Sequence, residues 1–273
     1  MTQPSEERGL YGREFFESQA PTSQRSAQVI VPLVVQLTRP ASVVDVGCGT
    51  GAWLSTFHEA GVEDILGIDG DHVDRSLLEI PQGRFLPWDL RLPLEVDRQF
   101  DLVVSLEVAE HLPAACADLF LDSLVSLGPA VLFSAAIPNQ GGTGHINERW
   151  PTYWSSLFED RGYRCLDPIR REVWEDERVE WWYRQNTLLF VRPDLLAENA
   201  TLRQELSAAP SGPRSIVHPR LLEAVAQQFE SVPRSAINSL TNRARRAMPA
   251  RVKATVRAGQ HRLKKATARQ QSS

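Results

Sequence analysis

The sequence predicts an α/β protein built on an open sheet with helices on both faces, and three observations carry that prediction. A short apolar run, Ser42-Val43-Val44-Asp45-Val46, ends in Gly47-Cys48-Gly49-Thr50-Gly51, and a helix-forming stretch starts at Ala52. A second apolar run, Asp64-Ile65-Leu66-Gly67-Ile68-Asp69, ends in an acid. That acid falls about twenty residues beyond the glycines, where an open α/β sheet places the carboxylate that accepts from a ribose diol. Further apolar runs alternate with helical patterns up to residue 191, as strands joined by crossover helices do.

Local signals place the elements. Residues 11–16 and 26–37 read as an amino-terminal helical cap that Pro40 closes, with Tyr11 and Phe15 as candidate lid aromatics. After the first strand, glycines at 47, 49 and 51 permit positive φ and leave no Cβ between the backbone and a ligand. A helix over 52–60 stops at Gly61. Strands follow at 64–69, 84–87 and 100–105, then a helix over 114–127 closed by Gly128-Pro129, and a fifth strand over 130–136. A polar, glycine-rich loop over 137–148 leads into a helix over 150–161, with Pro151 in its first turn and Gly162 at its end. Strands at 163–168 and 186–191 make seven, and the segment 170–185 arches between them. Beyond Pro193, Leu195, Leu196, Asn199, Leu202 and Leu206 keep the spacing of one short amphipathic helix. Residues 208–213 are a linker by composition, and 221–229 read as another short helix.

The glycine turn narrows the ligand. A dinucleotide fingerprint reads G-x-G-x-x-G and a phosphate loop ends in Gly-Lys-Ser/Thr, whereas this turn reads D-x-G-x-G-x-G with no lysine near it. The pattern resembles motif I of Rossmann-like, S-adenosylmethionine-dependent methyltransferases of the small-molecule type, and the resemblance covers about residues 43–191. It implies a seven-stranded mixed sheet whose last strand is antiparallel, and a cationic cofactor whose charged end lies near Asp45. Gly47, Gly49 and Gly51 would cradle that cofactor and Asp69 would hold its ribose. Asp89 would meet the adenine amino group between Trp88 and Leu90, and Glu107 would stand at the carboxyl end of the fourth strand, where open sheets bind ligands. The boundaries that follow are a cap over 1–40, a methyltransferase domain over 41–193, a helical extension and linker over 194–240, and a basic, disordered tail over 241–273.

Methyl transfer needs an acceptor held in line and a base for its proton. His145, in the polar loop, is the preferred base and His111, after the fourth strand, the second candidate. The competing reading makes His145 or Asn147 a cap of the following helix. His58 and His72 are expected to face solvent behind the cofactor. Glu107-x-x-Glu110-His111 resembles an acid-acid-histidine cluster of quinone-biosynthesis O-methyltransferases, which would imply magnesium. The same groups at a helix start also satisfy backbone donors, and no metal is expected. Trp150, Tyr153 and Trp154 are expected to face Trp174, Trp181, Trp182 and Tyr183 across an acceptor pocket.

Composition fits an enzyme with an unusual end. Among the 273 residues, 42% are hydrophobic, enough to bury a full core. No apolar run approaches the eighteen residues of a membrane span, and the opening residues lack the basic and apolar regions of a secretory signal, so a cytoplasmic location is expected. Cys48, Cys116 and Cys165 are too widely spaced for a disulfide framework or a metal motif. Residues 241–273 carry ten basic side chains and no acid, so the remainder of this chain of net charge -4 carries -14. An acidic body argues against a broad nucleic-acid surface, while the tail suits a polyanion such as an anionic membrane. Twenty-seven arginines against three lysines suggest a GC-rich bacterial genome. The expected activity is O-methylation of a sugar, glycan precursor or specialised metabolite. The alternatives are a nucleic-acid methyltransferase using the tail and an inactive cofactor-binding scaffold.

Overall fold

The computed structural model describes residues 12–208 and 215–230. The chain divides into two compact units after Leu221, and only residues 222–230 of the second are described. The basic tail therefore lies outside the described residues, as do most of the 208–213 linker, Tyr11 and the Phe15 side chain.

Seven strands form one sheet: β1 (Ser42–Val46), β2 (Asp64–Asp69), β3 (Phe85–Pro87), β4 (Leu102–Leu106), β5 (Ala130–Ser134), β6 (Arg164–Leu166) and β7 (Leu188–Val191). Their order is β3-β2-β1-β4-β5-β7-β6, parallel except for β7, which is antiparallel to both of its neighbours. The order reverses between β1 and β4, and the crevice at the carboxyl ends of those two strands is where such a sheet binds ligands. Side chains alternate between two apolar layers, as the period-two geometry of strands requires. Val43, Leu102, Val104, Leu132 and Leu189 face one layer, and Val44, Val103, Val131, Phe133 and Phe190 face the other.

The first layer is closed by helices α1 (Arg13–Thr38) and α2 (Ala52–Glu59), and the second by α3 (Ala117–Leu127) and α4 (Pro151–Asp160). The expected two-piece cap is one continuous helix. Pro21 and Pro32 lie inside it, and both occupy its exposed side, so the carbonyls they deprive of a partner face water. Buried Ala27, Ile30, Val31 and Val34 keep the three-and-four spacing that holds α1 on the sheet. Arg39, at φ 50, caps it with its N–H on the Val35 carbonyl, and Pro40 follows.

The arch before β7 contains two short helices, α5 (Pro168–Val173) and α6 (Trp181–Asn186). It is tied to α1 by the Arg25–Glu180 ion pair, by the Glu180 N–H on Ser26 Oγ (3.0 Å), and by Ser23 Oγ against the Tyr183 hydroxyl (3.3 Å). The single helix expected after Pro193 is two, α7 (Pro193–Glu198) and α8 (Ala200–Ala208). Asn199 breaks it: its side-chain oxygen accepts from the Leu202 N–H at 3.1 Å as an N-cap, and its amide donates to the Leu37 carbonyl at 2.8 Å. A ninth helix, α9, covers Pro219–Glu230. No helix among the described residues is long and apolar enough to cross a membrane.

Candidate active site

The carboxyl ends of β1, β2 and β4 open into a cavity of about 940 Å³, within the range that small-molecule sites occupy. One wall is the glycine turn. It is pinned from β2: Gly47 and Cys48 donate to the Ile68 carbonyl at 2.7 and 3.2 Å, and Gly49 donates to Asp69 Oδ2 at 2.7 Å. Gly47 stands at φ 88, where a Cβ would lie 2.3 Å from a methyl of Val108. Gly49, at φ 53, leaves its Cα face open to the ring of Phe16. Gly51, at φ 90, starts α2 against Ile80 and, like Asp45, is not among the residues lining the cavity. Asp45 is buried in β1 between Gly67 and Val104, and burial together with the Asp69 charge pushes its carboxyl well above the usual range.

Asp69 is in the cavity wall. Its Oδ1 accepts from the Gly70 N–H at 2.6 Å and lies 3.7 Å from His72 Nε2. Burial raises its pKa, while His72 and the two backbone donors pull it down. His72 was expected in solvent, yet it lines the cavity and stacks on Phe16 at 6.1 Å between centroids. The topology explains this, because residues 70–72 leave the carboxyl end of β2 directly into the crevice. Among the described side chains of α1, the aromatic that reaches the glycine turn is Phe16.

Trp88, Asp89 and Leu90 also line the cavity. Arg91 forks Asp89, with Nε to Oδ1 and Nη2 to Oδ2 each at 2.8 Å, and these bonds hold the carboxyl below its ordinary range. Glu107 follows β4 with φ 56, a left-handed conformation uncommon outside glycine. Its N–H donates to the carbonyl and the hydroxyl of Ser134 at 3.0 Å each, and its carboxylate accepts from the Gln140 and Asn186 amides. Burial raises its pKa against those bonds.

His111 and His145 meet edge to face at 4.8 Å in the opposite wall. Burial and the neighbouring His145 lower the His111 pKa to about 4, so that ring is neutral at pH 7. His145 Nδ1 lies 3.1 Å from Glu148 Oε1, and the ring packs on Gly142, where a Cβ would lie 2.3 Å from Nε2. Glu148 also accepts from the N–H groups of Asn139 (2.7 Å) and Gly141 (2.8 Å), so one carboxylate closes the loop and orients the imidazole. His145 is thus a wall residue. Asn147 accepts from Arg149 Nε at 2.9 Å, and the first residues of α4 have no side-chain cap.

Glu110, His111 and His145 bring three donor atoms within 4.8 Å of one another. Both Glu110 oxygens are buried without a hydrogen-bond partner among the described residues, and burial with the Glu107 charge pushes this carboxyl well above the usual range. The acid-acid-histidine grouping read from the sequence is therefore rearranged. Glu107 is occupied by amides, and His145 takes its place beside Glu110 and His111. The aromatic expectation divides in the same way. Trp181, Trp182 and Tyr183 line the cavity, whereas Trp154 is buried against Phe133 in the second layer, Tyr153 packs on Trp154, Trp150 is 40% exposed, and Trp174 packs on His218. Cys48 is buried, and its thiol is pushed well above the ordinary range by burial and by Asp69 and Asp45.

Comparison with known proteins agrees with this geometry. A family model described as a methyltransferase domain matches residues 19–170, just over half of the chain. A curated relative, the mitochondrial ubiquinone biosynthesis O-methyltransferase of Dictyostelium discoideum, is 26% identical over 152 residues, 49% of this chain and 44% of that protein. The match thus spans less than half the length of that relative. Among solved structures, an O-methyltransferase family protein from Burkholderia thailandensis superposes with a TM-score of 0.51 at 17% identity, covering 65% of this chain and 58% of that one. The magnesium protoporphyrin IX methyltransferase of Synechocystis PCC 6803, solved with bound S-adenosylmethionine, gives 0.47 at 18% identity over 70% of this chain and 92% of that one. The cavity suits S-adenosylmethionine: a glycine-lined cradle open to a ligand, the Asp69 carboxyl in the wall, and no lysine for a phosphate among the lining residues. The chain belongs to the methyltransferase-domain family, and its sheet is Rossmann-like.

Proposed function

We propose that the chain O-methylates a hydroxyl of a small-molecule acceptor, a sugar, glycan precursor or specialised metabolite, with His145 as the general base. The observation that carries this reading is the His145 ring in the cavity wall, with Nδ1 on Glu148 and Nε2 left unclaimed by that carboxylate. When bound, S-adenosylmethionine supplies an electrophilic methyl group. The protein's part is to hold the ribose at Asp69 and the adenine between Trp88 and Leu90 beside Asp89, and to present the acceptor to the histidine wall. Trp181 and Trp182 offer flat apolar faces on which a ring can stack. The O-methyltransferase name of the curated relative supports oxygen as the acceptor atom.

Asp69→Ala is expected to weaken S-adenosylhomocysteine about tenfold or more, since charge-assisted hydrogen bonds are worth about 1.5 to 3 kcal/mol. The side chain also holds the Gly49 N–H, so Asp69→Asn, which keeps one acceptor, should fall between the two. Calorimetry on folded variants measures this, and wild-type affinity in the alanine variant would remove Asp69 from the site.

A second reading is favoured by Glu110: its buried carboxyl beside two imidazoles, with the three donor atoms within 4.8 Å of one another, is the donor set of a divalent cation. Two nitrogens and one oxygen suit a transition metal such as zinc better than magnesium. A cation held there would lower the pKa of the acceptor hydroxyl. Manganese is expected to broaden the ring signals of His111 and His145 in wild type but not in Glu110→Gln. Unbroadened wild-type signals would leave Glu110 a buried neutral acid and His145 a base acting alone.

The basic segment 241–273 is proposed to hold the enzyme at anionic membrane surfaces. Its deletion should leave cofactor binding unchanged and abolish co-sedimentation with anionic vesicles, an attraction that weakens as salt screens it. Full-length protein that ignores vesicles yet binds RNA with a steep salt slope would favour a nucleic-acid partner instead.

A further inference from the structure

Glu107 is held in the cavity wall by neutral amides. Gln140 Nε2 donates to one of its oxygens at 2.8 Å and Asn186 Nδ2 to the other at 3.0 Å. Asn186 Nδ2 also reaches Gln140 Oε1 at 2.9 Å. Behind them lies Gln185, fully buried and outside the cavity, whose Nε2 donates to Gln140 Oε1 (3.2 Å) and to Asn186 Oδ1 (3.1 Å). An amide network of this kind can be satisfied in either of two flipped states, unless one group of fixed polarity sets it. Two backbone N–H groups do so: that of Ile137 donates to Gln140 Oε1 at 3.3 Å, and that of His218 donates to Gln185 Oε1 at 2.8 Å. A backbone N–H can only donate, so Ile137 turns the Gln140 NH₂ toward Glu107, while His218 turns the Gln185 NH₂ toward Asn186 Oδ1 and so leaves the Asn186 NH₂ to face Glu107. His218 is well placed for the task. Its ring is buried, with Nε2 3.1 Å from the Trp174 carbonyl and Nδ1 accepting from the Arg220 N–H at 3.2 Å.

We propose that the segment 215–221, beyond the last strand, is part of the ligand site: through the His218 N–H it fixes Gln185, which in turn sets the Asn186 amide that holds Glu107 in the cavity, with Gln185 as the positioning residue. The proposal rests on the reading of this cavity as the cofactor site.

The test is a double-mutant cycle on S-adenosylhomocysteine affinity, read by calorimetry with full-length protein. Gln185→Leu is expected to weaken binding about tenfold, a coupling within the range of side chains in one network, and to add less than twofold in a Glu107→Gln background. His218→Pro, which removes the N–H, should weaken binding in the same way. Gln185→Glu keeps the oxygen for His218 but presents no donor to Gln140, so it replaces the leucine variant if that one fails to fold. Wild-type affinity in the folded Gln185 variants, or losses at 185 and 107 that add in full, would overturn the proposal. A wild-type protein that does not bind S-adenosylhomocysteine would instead overturn the cofactor reading beneath it.

Discussion

His145→Ala is expected to lower methyl transfer to the true acceptor by about a hundredfold or more, with S-adenosylhomocysteine affinity close to wild type. General-base catalysis contributes on the order of 10² to 10⁴ in rate, and the residue lies in the wall opposite the glycine cradle. The variant also leaves Glu148 still bonded to the Asn139 and Gly141 N–H groups, so the loop keeps its closure while the imidazole is gone. Single-turnover labelling with radioactive cofactor separates the two parameters. Unchanged turnover would reduce His145 to a loop residue and turn attention to His111, its neighbour in the cavity wall.

Gly47→Ala should be strongly destabilising. At φ 88 a side chain is strained, and the new Cβ would sit 2.3, 2.8 and 3.1 Å from three carbons of Val108, itself buried. Left-handed strain and overpacking each cost about 1 to 3 kcal/mol, so a combined loss of about 3 kcal/mol is expected. In a domain of this size that lowers Tm by roughly 10 °C. Adding Val108→Ala removes the clash but not the strain, and should recover part of the loss. A Gly47→Ala protein that melts with wild type would mean that the turn does not pack on the loop after β4.

The fold was legible because its signals are local and repeated. Alternating apolar strands, a left-handed glycine turn and helix-stopping Gly61 and Gly162 each state their own conformation, and together they locate all seven strands to within a few residues. The continuous α1 escaped because proline reads as a break, whereas here both prolines lie on the exposed side of a helix held by its buried face. The split at Asn199 escaped for the opposite reason: leucine spacing continued across it, and the cap depends on a side chain turning back on its own backbone. At the site, residues that leave strand ends were readable from topology, and His111 and His145 do share a wall. The roles of Phe16, Gln140 and Asn186 were not readable, since they depend on contacts between segments far apart in sequence. The pairing of Trp150 and Trp154 with the 181–183 run failed because helical spacing says which residues share a face and not which layer that face covers.

The account is tested most directly by incubating the purified protein with ¹³C-methyl S-adenosylmethionine and the small-molecule fraction of a cell extract, then recording the carbon spectrum of the products. The expected result is a new signal in the methoxy region that builds up far more slowly with the His145→Ala variant and, at limiting cofactor, with Asp69→Ala. A new signal in the N-methyl or C-methyl region, or label recovered in the nucleic-acid fraction when that is supplied instead, would contradict O-methylation of a small acceptor.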